Sequence, residues 1–263
     1  MNRLLKLEFR RLSQAKSFYI CLAISLVLIL ISAITSKILY SAVQKMTAED
    51  AESLAQLGAA ALQKPTGLSL MKEIGSSSLT LILAIFLSIF VTEEYAGDVI
   101  KNVYAKGYSR DVVFFSKYIC SLVATLVIVA VDAVFSLVLG KLLFGTIGKA
   151  GLHYASSFIA LLFVLVGYHA LYYAIAITLR KTGSSIAISI LGPLVISLLL
   201  TLGNAVIKSN KIDLSDYWIS GRLSVLEGAN VATKEVWLSF LVAGVVILAA
   251  GAIGFFLNRK RES

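Results

Sequence analysis

Six stretches of the chain, near residues 18–39, 74–92, 118–140, 154–179, 184–207 and 235–257, are apolar almost without interruption. At ~1.5 Å of rise per residue, each is long enough as a helix to cross a hydrocarbon layer of about 30 Å. In that layer water satisfies no backbone group, so a spanning segment must bond its own N–H and C=O groups. The composition agrees: 58% of residues are hydrophobic, 15% are charged, and the mean hydropathy is +0.87. A soluble domain would carry about 25% charged residues. The predicted fold class is an all-α polytopic membrane protein with six transmembrane helices. Residues 1–263 form a single transmembrane domain, with no room for a separate soluble one.

Lys and Arg set the orientation. They collect at the N-terminus (Arg3, Lys6, Arg10, Arg11, Lys16), in 93–117 (Lys101, Lys106, Arg110, Lys117), beside Arg180 and Lys181, and at the C-terminus (Arg259, Lys260, Arg261). The opposite side carries less than half that density. The positive-inside rule then puts both termini in the cytoplasm. The net charge of +9 is read in this way, and no nucleic-acid partner is expected. The first apolar run is too long for a signal peptide and lacks a small-x-small cleavage site, so it reads as a retained span. Cys21 and Cys120 lie within spans and form no CxxC pair; they read as small apolar filler.

The segments outside the spans have patterns of their own. In MNRLLKLEFRRLSQAK, Met1, Leu4, Leu5, Phe9 and Leu12 share one helical face, and Arg3, Lys6 and Arg10 share the other. That predicts an N-terminal interfacial helix lying among the membrane lipids, with Glu8 as a flaw on its apolar side. TAEDAESLAQLGAAALQK, residues 47–64, predicts a short outer helix that opens on Thr47 and Asp50 and is ended by Pro65 and Gly67. Tyr217 and Trp218 suit a membrane-interface belt, and Thr233 reads as the cap of the last span. Within that span Gly244, Ala250, Gly251 and Gly254 offer surfaces small enough for close helix contact.

The connection between the second and third spans, EEYAGDVIKNVYAKGYSR (93–110), mixes charges with apolar residues. As a helix over 98–106, it puts Val99, Ile100, Val103 and Tyr104 on one face and Asp98, Lys101, Asn102 and Lys106 on the other. Gly97 and Gly107 mark its limits. The spacing by itself gives an exposed amphipathic helix, and a solvated basic loop is the alternative.

Glu94, Gly97, Ile100-Lys101-Asn102, Gly107, Ser109-Arg110 and Lys117 resemble the segment that follows the second span in ABC-2-type permeases, the membrane subunits of ABC exporters. The amphipathic N-terminus, the six spans and the basic tail FFLNRKRE extend the likeness over the whole chain. The resemblance implies that 93–110 holds a short cytoplasmic coupling helix, which docks on a separate ATPase subunit. Glu94, Gly97, Asp98, Lys101, Asn102, Lys106, Gly107 and Arg110 are its candidate coupling residues. It also implies a second permease copy or a sister permease, and a bacterial plasma membrane. The cargo would be an amphipathic or lipophilic peptide antibiotic, drug or lipid, so that the transporter confers antibiotic resistance or immunity.

No GxxxxGK[ST] loop occurs; GTIGKAG has Ala150 where Ser or Thr should hold magnesium. ATP and Mg are therefore expected on the partner ATPase, with no cofactor in this chain. No HExxH and no GxSxG occurs, so an enzyme is not expected. No metal site is expected either. Asp132, His169 and Pro193 lie inside spans and are candidates for a transport path or switch. On depth alone Asp132 and His169 could meet, which keeps open a proton-coupled secondary carrier. A membrane immunity or assembly protein that transports nothing is a further alternative.

Overall fold

The computed structural model describes residues 2–44, 65–73, 77–96, 99–148, 152–207, 214–228 and 231–260. Among them the order of helices is α1 (Asn2–Gln14), α2 (Lys16–Val43), α3 (Gly67–Glu73), α4 (Ser77–Ala96), α5 (Val99–Ala105) and α6 (Arg110–Phe144). There follow α7 (Leu152–Leu179), α8 (Thr182–Ile207), a 3-10 turn (Leu214–Tyr217), α9 (Ile219–Glu227) and α10 (Thr233–Lys260). Six of these, α2, α4, α6, α7, α8 and α10, are long and apolar enough to cross a membrane. The outer helix expected over 47–64 lies outside the described residues.

The core forms where α4 and α7 are enclosed by their neighbours. Leu83, Phe86, Leu87, Leu161, Leu165 and Ile177 are almost fully buried. By contrast α8 turns Leu191, Leu194, Leu198 and Leu202 outward, as a helix facing lipid does. The closest approach of α7 and α10 depends on small residues: a Cβ on Gly254 would lie 3.2 Å from Ala174 Cβ. Ala250 packs with Ala170 and Ala174, whereas Gly244 and Gly251 face open space. Both cysteines are buried and unpaired.

Several boundaries differ from the sequence reading. The third span starts at Arg110 rather than near residue 118. Ser109 is extended just before it and Asp111 occupies its first turn, so the helix is set before the apolar run begins. The segment that Pro65 and Gly67 are expected to end lies outside the described residues; a short helix unforeseen in the sequence, α3, begins at Gly67. Thr66 and Ser69 cap it reciprocally: Ser69 N–H donates to Thr66 Oγ1 (3.2 Å) and Thr66 N–H to Ser69 Oγ (2.9 Å). Thr233 is the first residue of α10 and not its cap; the N–H groups of Glu235 and Val236 donate to the carbonyl of Ala232.

The helix ends gather into two polar layers. One holds the ends of α1, α4, α6, α7, α8 and α10 around residues 8–11, 92–95, 111–117, 180–182 and 258–259. The other holds α3, the turn at 145–148, the 3-10 turn and α9. In that second layer α3 lies so close to α6 that a Cβ on Gly140 would run into the backbone of Gly67.

Candidate functional site

The segment between the second and third spans forms α5, which ends one residue earlier than the spacing predicts, at Ala105. Its apolar side is seated: Ile100 is buried with Leu4 of α1 and Val113 of α6, and Val103, Tyr104 and Tyr108 pack around them. Its other side carries Asn102, exposed, with exposed Lys106 just beyond the helix. Gly107 closes the helix at a φ of 82°, a conformation that suits glycine, and donates its N–H to the carbonyl of Tyr104 (2.9 Å). Arg110, exposed, opens α6. The backbone of Lys101 lies in α5, but its side chain is outside the described residues, as are Gly97 and Asp98.

Beneath α5 lies a buried cluster of charges. Glu94 at the end of α4 pairs with both Arg11 of α1 and Lys117 of α6. Glu94 and Lys117 are 3% and 1% exposed. Glu8, also buried, stands 4.0 Å from Arg11. The exposed Glu93 accepts from Arg11 at 3.4 Å. The ring of Tyr95 takes Lys117 Nζ at 5.0 Å and the Arg180 guanidinium at 4.9 Å. Arg180 has a φ of 57°, rare for a residue with a side chain, and donates to Asn258 at 3.1 Å. Glu8 is therefore part of an ion cluster, which the amphipathic reading of α1 missed. Its spacing of three from Arg11 was the signal available. Glu94 touches no surface, so any part it takes in coupling is to hold α1, α4 and α6 together under α5.

Asp132 and His169 are both fully buried, but not together. Ser25 Oγ donates to Asp132 Oδ1 at 2.9 Å. His169 Nε2 lies 3.0 Å from Ser121 Oγ, within the rings of Tyr118 and Tyr173. Ser121 and Asp132 are eleven residues apart on α6, or roughly 16 Å of helix. The proton relay that depth alone allowed therefore lacks a direct contact. The helix α8 runs through Pro193 from Thr182 to Ile207.

The opposite layer holds charges that sequence reasoning passed over. Arg222, fully buried, pairs with Asp216 at 2.5 Å and with Glu235 at 2.6 Å. Lys72, lowered in pKa by burial, donates to the carbonyl of Gly228 at 2.7 Å and lies over the Tyr154 ring. Glu73 accepts from Ser32 at 2.6 Å; burial raises its pKa and that hydrogen bond opposes the rise. Burial, and secondly the charge of Glu73, pushes Glu227 up to about 7.

A family profile described as "ABC-2 family transporter protein" matches residues 4–204, from α1 to the end of α8. The chain belongs to the ABC-2 transporter family. Neither a curated relative nor a solved structure matches it. As an ABC-2 permease it is a multi-pass membrane component of an ABC transporter, a transport subunit. Permeases of this family generally work with an ATPase subunit.

Proposed function

We propose that this permease is the membrane half of an ATP-driven exporter, moved by a separate cytoplasmic ATPase that docks on residues 93–110. One observation carries the reading: α5 rests its apolar back on α1 and α6 and leaves Asn102 and Lys106 outward. A short helix seated on two others transmits a push to them, whereas a solvated loop would absorb it. Below it, Glu94 links α4 to α1 and α6 through Arg11 and Lys117, so a force on α5 meets a joined base. Closure of the ATPase, with its ATP and Mg, would then tip the bundle between two states as a rigid body. Two permeases, identical or sister chains, would flank the path, in a bacterial plasma membrane with both termini cytoplasmic. The lipid-facing bundle with few charges suits amphipathic or lipophilic cargo, such as a peptide antibiotic, drug or lipid, and hence a part in antibiotic resistance.

The test is a pair of substitutions, Lys101→Glu with Asn102→Asp, made in the transporter carrying its ATPase. Copurification of the ATPase should fall sharply while the permease keeps its melting temperature. Undiminished copurification and undiminished transport would sink the docking role of α5.

A further inference from the structure

A cavity of about 250 Å³ opens between α2, α3, α4 and α6, toward the end of the bundle that carries α3. Its floor is Asp132 with Ser25, Leu79 and Ile82; its rim is half-buried Ser32 with Glu73 and Ser78, which reach the surface, and Leu28 and Ile29 of α2 lie between. Ser25 and Ser32 stand two turns apart on one face of α2, and each donates to one of the two carboxylates. Asp132 is 0% exposed. Its Oδ1 is taken by Ser25, while its Oδ2 has no hydrogen-bond partner among the described residues. Among the described residues, both charged groups that line the cavity are acidic. The nearest base in sequence, Lys72, is turned to Gly228 and Tyr154.

An acid at this depth is costly unless something compensates it, and no described residue of the cavity walls supplies the compensating charge. Nor is the cavity large. Pockets for whole drug-sized ligands run from about 300 to 1,000 Å³. A space of this size takes a head group and a few methylenes, with Leu28 and Ile29 against the stem.

We propose that this cavity binds the ammonium head of an amphipathic organic cation, with Asp132 Oδ2 as its acceptor at the floor and Glu73 drawing it in at the rim. A carboxylate oxygen left open and a serine that fixes the other oxygen make a directed acceptor for an N–H donor. The apolar middle selects a cation with a hydrocarbon stem over a hydrated metal ion. The assignment names a ligand class for the proposed transport path and rests on that reading. Two sources share this chemistry: a cationic cargo molecule and the head group of phosphatidylethanolamine.

The test is equilibrium binding of radiolabelled n-octylammonium to the full chain in nanodiscs of phosphatidylglycerol, against empty nanodiscs. Binding should be saturable and about tenfold or more weaker in Asp132→Asn, as expected when a hydrogen bond to a charged group is lost. Leu28→Trp, which keeps both carboxylates but fills the middle of the cavity, should abolish it. Melting temperatures without ligand show that both variants are folded. Octanol and octanoate should not displace the probe. Adding phosphatidylethanolamine sorts the sources: weakened probe binding identifies a lipid head group, unchanged binding a cargo cation, and the ammonium site stands in either case. Equal binding by Asp132→Asn, displacement by octanol, or no binding above empty nanodiscs would overturn it. The readout needs no ATPase. An unaltered chain that brings down its ATPase but binds no probe sinks this site alone, and an unaltered chain that binds the probe but brings down no ATPase sinks the exporter reading alone.

Discussion

Lys117 and Arg222 are both buried cations near opposite ends of the same bundle, yet they are held in opposite ways. The carboxylate of Lys117, Glu94, is as buried as the lysine. The carboxylates of Arg222, Asp216 and Glu235, are 44% and 32% exposed. The first cluster joins residues 8, 11, 94 and 117 from three helices; the second joins 216, 222 and 235, close together in the chain. The difference teaches what each layer does. A sealed pair has nowhere to relax, so it makes a stiff joint between distant helices. A pair whose acids reach outward is a local clamp that water can replace.

The hardest way to break this contrast is to remove Glu94. Glu94→Leu leaves Lys117 buried without its closest carboxylate and should destabilise the fold by about 3–5 kcal/mol, as the loss of one partner of a buried pair does. Adding Lys117→Met should restore most of that, since a well-packed apolar pair replaces the charges. Reversible unfolding in mixed micelles measures both; a double variant no better than Glu94→Leu would show that the pair is not a closed unit. Arg222→Met should cost less, about 1–2 kcal/mol, because Asp216 and Glu235 can rehydrate where they stand. An equal loss at the two ends would erase the distinction between joint and clamp.

A smaller effect sharpens it. Glu227, on α9 of the second layer, has its pKa raised to about 7 by burial and by the neighbouring Glu73. An acid whose pKa is higher folded than unfolded binds its proton more tightly in the native state. Its stabilising contribution is therefore full below the unfolded carboxyl range and is lost as pH rises through about 7. The melting temperature should drift down between pH 5 and pH 8, and Glu227→Gln should flatten the drift. A drift that Glu227→Gln leaves unchanged would point to another group.

Much of the fold was legible in one dimension. The six spans are assigned as expected, and the amphipathic face of α5 is seated through Ile100, Val103 and Tyr104 as its spacing foretold. The third span was read too short because Lys117 looked like the edge of a loop; paired with Glu94, it sits inside a helix that starts at Arg110. Thr66 and Ser69 were overlooked because Pro65 and Gly67 beside them read as a helix stop. Of the intramembrane candidates, Asp132 and His169 were visible as charges in apolar runs, but Ser25 and Ser121, the serines that receive them, look like any other small residue in a span.

The amino-acid order alone decided how many times the chain can cross a bilayer and which side of α5 is apolar. Both follow from transfer between water and hydrocarbon, a property each segment carries by itself. Which charges meet was decided only by tertiary packing. Glu94 finds Arg11 and Lys117, and Asp132 lines a cavity shared by four helices, because helix contacts bring together residues far apart in the chain. The strength of an ion pair depends on separation and on exclusion of water, and neither exists until the helices are packed.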